Sequence, residues 1–113
     1  MTLHTNSKGR AGEDAAAALL ESHGYRILGR NVRVPGGEID LVALDGAVLV
    51  FVEVKRRDSR RFGTALGAVD ARKRRRLREL AADYAQIVAP RAKIRFDIVT
   101  IDGNRLAVHR NAF

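Results

Sequence analysis

Hydrophobic and polar positions along the chain change period several times, and each change marks an element. From Gly12 to Ser22 the run Ala15-Ala16-Ala17-Ala18-Leu19-Leu20, with Glu13 and Glu21 at either end, predicts a helix of strong formers stopped at Gly24. Tyr25 to Val34 alternates loosely and ends at the breaker Pro35-Gly36-Gly37, and Glu38 to Leu44 follows, so two strands are expected. Asp45-Gly46 reads as a two-residue hairpin loop of type I′, which leads into an apolar, β-branched strand from Ala47 to Lys55. Asp58 to Gly67 is polar and glycine-punctuated, the composition of a mobile loop. Helical spacing returns from Asp70 to Ile87, with Leu77, Leu80, Ala81, Tyr84 and Val88 in register and Pro90 beyond the end. Lys93 to Ile101 alternates again, Asp102-Gly103-Asn104 turns the chain, and Leu106 to Val108 forms a short last strand. The order is αβββαββ, an α/β arrangement.

The central hairpin carries the candidate chemistry. With Asp45 and Gly46 as the loop, Leu44 faces Ala47, Glu38 lies opposite Glu53 and Asp40 opposite Phe51. Period-two alternation then sends Glu38, Asp40, Glu53 and Lys55 to one face, with Asp40 and Glu53 on a diagonal about 7 Å apart at the backbone. The other face of the third strand is Val48, Val50, Val52 and Val54, an apolar stripe that opposes a one-residue slip. Carboxylates packed together repel unless they take up protons or a cation comes between them. Mg²⁺ suits such a pair, because it accepts one or two carboxylates and leaves room for waters and a phosphate oxygen. A lysine two residues after an acid can then orient a nucleophile or stabilise a phosphodiester transition state. The plain alternative is a solvated, salt-bridged sheet face. Against it, arginines outnumber lysines 17 to 4, yet Lys55 is a lysine, the more readily tuned of the two. Glu13 and Lys73 head inward-facing helical rows; each also has a plain reading, Glu13 as an acid in a first helical turn and Lys73 as a snorkelling edge residue.

Charge sharpens the picture. The chain carries a net +8, and residues 55 to 78 hold eleven basic side chains against Asp58 and Asp70, a net +9, so the remainder is close to neutral. Arg56, Arg57, Arg60, Arg61, Lys73, Arg74, Arg75 and Arg76 are therefore candidates for binding nucleic acid. Cysteine is absent, which excludes disulfides and thiolate metal sites, and His4, His23 and His109 form no ligand motif. With no long apolar run and no leader-like start, a cytoplasmic location is expected and no membrane partner. Length favours one domain over residues 1–113. Six aromatic residues are too few for a stacking platform.

Gly36-Gly37-Glu38-Ile39-Asp40-Leu41-Val42-Ala43 followed by Val50-Phe51-Val52-Glu53-Val54-Lys55 resembles the D…ExK signature of the PD-(D/E)xK nucleases, and more closely the YraN family of uncharacterised predicted endonucleases. The likeness runs from Gly9 through Gly12-Glu13, Asn31, the hairpin, Phe62-Gly63, Lys73 and Arg95-Phe96-Asp97 to Asn111-Ala112-Phe113. It implies a restriction-endonuclease-like core: a central mixed β-sheet flanked by two main helices, αβββαβ plus a short C-terminal strand. It further implies Asp40 and Glu53 as metal ligands, Lys55 as the catalytic lysine and Glu13 as the helical acid that some superfamily members add to the metal site. Arg56 departs from the family, where a small hydroxyl residue is frequent. Likeness to archaeal resolvases implies a homodimer. The expected function is that of a Mg²⁺-dependent endonuclease, with Mn²⁺ as a substitute, hydrolysing phosphodiester bonds of nucleic acid, DNA in the first instance, with branched or repair intermediates as candidate substrates. The alternative is a non-catalytic nucleic-acid-binding or protein-interaction module that retains the nuclease fold. The intact acidic set favours the enzyme, because acids repel phosphate and a pure binder would not need them.

Overall fold

The computed structural model describes residues 7–58 and 63–113. Helix α1 (Ser7–Ser22) leads into strands β1 (Arg26–Val34), β2 (Gly37–Asp45) and β3 (Val48–Arg57). A 3₁₀ turn (Leu66–Ala68) precedes helix α2 (Ala71–Val88), and strands β4 (Ile94–Asp102) and β5 (Arg105–His109) close the order. One sheet runs β1-β2-β3-β4-β5. Its neighbours are antiparallel except β3 and β4, which are parallel and joined by the crossover through α2. The αβββαββ order and the mixed sheet between two helices agree with the sequence reading and with a restriction-endonuclease-like core.

The two helices cover opposite faces. Ala16, Ala17 and Leu20 of α1 pack with Leu41, Ala43, Val50, Val52 and Val99. Leu77, Leu80, Ala81 and Ala85 of α2 pack with Ile39, Val42, Leu49, Phe51 and Phe96. Asp70 caps α2, its Oδ1 accepting from the Lys73 N–H at 3.0 Å. α1 begins five residues before the expected start, at Ser7 rather than Gly12. Glu13 is thus not in the first turn, and its plain reading as an acid favoured by the helix N-terminus does not hold. Within the stretch expected to be a mobile loop, residues 59–62 lie outside the described residues, and Leu66–Ala68 is helical.

The hairpin turn differs from the expectation. Asp45 pairs with Val48 and Leu44 with Leu49, so Gly46 and Ala47 form the loop, and Asp40 is not opposite Phe51: Val42 is. A type I′ turn needs positive φ at both central residues; Gly46 has φ +60 and Ala47 is not among the positive-φ residues, the φ signature of type II′ with glycine first. The expected and observed registers differ by two residues, so the valine stripe keeps its face: Val50 and Val52 are buried against α1, with Val48 and Val54 partly buried beside them.

A second irregularity decides where the acids go. Arg30 pairs with Leu41, which packs toward α1, and Val32 pairs with Ile39, which packs toward α2. Simple alternation would put residues two apart on the same face. Both strands therefore change face between these pairs, at Asn31, which adopts φ +49, and at Asp40 across from it. The β2–β3 ladder also stops at Leu41 and Val52.

A second polar cluster centres on Asp97, which is fully buried. The Tyr25 hydroxyl donates to Asp97 Oδ2 at 2.6 Å, Arg95 donates to both Asp97 oxygens at 2.9 Å, and the Asn111 N–H donates to Asp97 Oδ1 at 2.9 Å. Arg95 and Arg110 both reach Asp45. Phe113 stacks on Phe96 at 5.0 Å, with the guanidinium groups of Arg74 and Arg78 near its ring.

Candidate metal centre

Asp40 sits where the sheet opens. Its Oδ2 accepts the Val54 N–H at 2.8 Å, a donor left available because the β2–β3 ladder has ended two residues earlier. The carboxylate thus reaches toward β3 and meets Glu53, which is buried at 9% exposure. Burial, a hydrogen bond shared with Glu53 and the Glu53 charge push the Asp40 carboxyl up to about 8, against the pull of the Val54 N–H; Glu13 adds to the upward push.

Two lysines face this pair. Lys73, from the first turn of α2, places Nζ 2.9 Å from Glu53 Oε2. Burial alone would lower its pKa, but Glu53, Asp40 and Asp70 outweigh that and hold it above the ordinary lysine value. Lys55, two residues along β3 from Glu53, is pushed the other way: burial and the charges of Lys73 and Arg57 lower its pKa, opposed by Glu53 and Asp40. The ammonium of Lys55 is therefore the more easily deprotonated of the two.

The remaining candidates separate. Glu38 does not join Asp40, because the change of face at Asp40 breaks the alternation that would have kept them together; it lies 3.8 Å from Arg33 Nε. Glu13 accepts from Asn31 Nδ2 at 3.1 Å and acts on Asp40 through its charge, and among the described residues no group of three or more metal-ligating side chains converges. Arg57 acts on Lys55, whereas strand alternation turns Arg56 to the opposite face. Among the described residues the Nε atoms of both arginines are buried without a hydrogen-bond partner. Arg60 and Arg61 lie outside the described residues. Arg74 donates to the Val69 carbonyl at 2.8 Å and lies over Phe113, so its guanidinium is held by the fold. Arg75 and Arg76 are exposed and, with Asp70, Arg72, Lys73 and Glu79, line an open groove of about 600 Å³. Arg76 also lies against the Gly36-Gly37 turn, where a Cβ on Gly37 would come within 3.0 Å of Leu80.

Periodicity missed the Lys73–Glu53 ion pair and the Asn31–Glu13 link. The first needed the distance between α2 and β3. The second had one signal, since asparagine is among the few residues that enter positive φ readily.

The donor set fits a hard divalent cation. Two adjacent carboxyl groups, one forced to keep its proton, form a site whose repulsion a cation would relieve, and Mg²⁺ or Mn²⁺ needs no more than two carboxylates when water and a phosphate oxygen complete the shell.

A mixed sheet between two helices, opened beside a paired carboxylate, defines the class as restriction-endonuclease-like in fold. The model of the uncharacterised protein family UPF0102 matches residues 12–101, and the chain belongs to that family. A UPF0102 protein of Symbiobacterium thermophilum is 52% identical over 111 residues, covering 93% of this chain and 94% of the relative. One from Moorella thermoacetica is 52% identical over 103 residues, covering 89% and 85%. One from Dechloromonas aromatica is 47% identical over 109 residues, covering 96% and 90%. No described helix is long and apolar enough to cross a membrane.

Proposed function

We propose that this protein is a metal-dependent nuclease that hydrolyses phosphodiester bonds, with DNA as its substrate. The observation that carries the reading is the pairing of half-buried Asp40, pushed up to about 8, with buried Glu53, beside Lys55 and joined through Lys73 to a groove lined by Arg72, Arg75 and Arg76. A purely structural sheet face has no need of two mutually repelling acids, and a purely anion-binding face would be weakened by them.

Asp40 and Glu53 would hold Mg²⁺ or Mn²⁺, which when bound lowers the pKa of water and offsets charge on a phosphate. The residues of the chain supply the rest. Asp40 gives up its proton to become a ligand, and the Val54 N–H fixes its orientation. Lys55, whose pKa is lowered, donates to the attacking oxygen or the scissile phosphate and is poised to exchange a proton. Arg72, Arg75 and Arg76 attract the phosphate backbone into the groove and leave base identity unread.

The test compares wild type, Asp40→Asn and Lys55→Arg on duplex, single-stranded and four-way DNA with Mg²⁺, Mn²⁺ or EDTA. Cleavage by wild type should require the metal and fall by at least about 100-fold in Asp40→Asn, while Lys55→Arg should keep DNA binding and lose turnover. Cleavage that survives Asp40→Asn or EDTA would overturn the reading.

A further inference from the structure

The cation nearest the acids is not Lys55 of the sheet but Lys73 of the helix. Its Nζ lies 2.9 Å from Glu53 Oε2, the Lys73 side chain is 45% exposed, and the Glu53 side chain only 12%. One end of this ion pair is therefore anchored and the other can leave. Lys73 also lines the basic groove, in a run of five consecutive basic residues from Arg72 to Arg76. It has two places to put its charge: inward on Glu53, or outward among the arginines, where a phosphate would receive it.

Resting on the nuclease reading above, we propose that Lys73 is an exchangeable counter-ion of Glu53, a positioning residue that occupies the carboxylate in the metal-free protein, yields it to a divalent cation, and then binds nucleic-acid phosphate in the groove. The two events favour each other. A cation on Glu53 releases Lys73 toward the groove, and a phosphate that draws Lys73 outward clears Glu53. By linkage the metal tightens nucleic acid by the same factor as nucleic acid tightens the metal. Lys55 cannot play this part, because it shares the strand of Glu53 and is not its ion-pair partner.

The outward position also has an electrostatic rationale. The first turn of α2 holds Arg72, Lys73 and Arg74 and no acid, although the helix N-terminus disfavours cations. An inward Lys73 is relieved by Glu53; an outward one has the Asp70 cap and Glu79 of the groove, and a bound phosphate would add to them.

Calorimetric titration with Ca²⁺, compared among wild type, Lys73→Met and Asp40→Asn, tests the exchange without turnover. Lys73→Met keeps an unbranched side chain of similar length and removes the charge, and Lys73→Gln serves as a second variant should the first fold poorly. Ca²⁺ should bind the Lys73 variant roughly two- to fivefold more tightly than wild type, the range expected for a half-exposed competing ion pair. Fluorescence anisotropy with a labelled DNA duplex should show Ca²⁺ tightening binding in wild type, with that gain reduced in the Lys73 variant. A Ca²⁺ affinity in the variant equal to or weaker than in wild type would overturn the exchange while leaving the metal site standing. Ca²⁺ binding absent from all three proteins, or equal in Asp40→Asn and wild type, would instead remove the metal site, and the exchange with it.

Discussion

At the scale of single residues, Asp40 links the geometry of the sheet to the pH dependence of the protein. Its carboxyl is raised from the ordinary aspartate value to about 8 because it is buried and shares a hydrogen bond with Glu53. Between about pH 4 and pH 8 the folded chain therefore holds a proton that the unfolded chain has released. The sign follows: this contribution to stability is full below about pH 4 and is lost as pH rises through about 8. Asp40→Asn, which cannot ionise, should match wild type near about pH 5 and exceed it by on the order of 1–3 kcal/mol at about pH 8.5, as read by urea denaturation of metal-free protein. A wild-type profile as flat as that of the variant would show that Asp40 ionises normally. Metal affinity should move the opposite way, rising with pH up to about 8 as the competing proton is lost. Asp40, Glu53 and Lys55 were visible in the sequence by spacing. The depth of burial that makes Asp40 hold its proton was not, because burial depends on what α2 and β1 bring over the site.

At the scale of elements, the site depends on β1 and β2 changing face at Asn31 and Asp40. Asn31 occupies φ +49, where glycine is comfortable, asparagine tolerable and a β-branched residue strained. It also donates to Glu13 and so ties β1 to α1. Asn31→Gly should keep the backbone and lose the Glu13 bond, at a cost of about 1 kcal/mol. Asn31→Val should cost about 1–2 kcal/mol more, through strain at positive φ. Thermal denaturation of the three proteins should give the order wild type, Gly, Val, and equal midpoints for Gly and Val would show that the backbone at 31 is not held left-handed. The hairpin shows how far pattern reading reaches. Asp45-Gly46 marked the turn within one residue, but Asp45 is claimed by Arg95 and Arg110 and stays in the strand, which moves the loop to Gly46-Ala47. The two-residue change of register preserved parity, so the valine stripe was right even though every cross-strand partner was wrong. Glu38 was misplaced for a different reason: period-two counting assumes regular alternation, and β2, though continuous from Gly37 to Asp45, changes face at Asp40.

At the scale of the molecule, charge is concentrated along β3 and α2, and the fold sorts its members by role. Arg74 is bonded to Val69 and covers Phe113, whereas Arg72 and Arg75 are exposed on the groove. A double change of Arg72 and Arg75 to Gln should weaken DNA binding and make the dependence of log affinity on log salt shallower by about 2, one phosphate contact for each charge removed. Stability should change little. Arg74→Gln should do the reverse, leaving the salt dependence near wild type and lowering the denaturation midpoint. Anisotropy titrations across a salt series, paired with melts, separate the two. If the double variant bound DNA with an unchanged slope, the groove would not be the phosphate track.

What the sequence determined by itself was everything set by local periodicity and residue chemistry. The order αβββαββ follows from alternating and helical spacing, the buried face of β3 from Val48, Val50, Val52 and Val54, and the acidic and basic chemistry from Asp40, Glu53, Lys55 and the run Arg72 to Arg76. Only the tertiary structure decided which charges meet. It ended the β2–β3 ladder at Leu41 and Val52 so that Asp40 could reach Val54, turned Glu38 away, and carried Lys73 across to Glu53. The physical reason is that alternation specifies direction only within an unbroken element. The distance between a helix and a strand, and the break that opens the sheet beside Asp40, depend on how residues distant in sequence pack together.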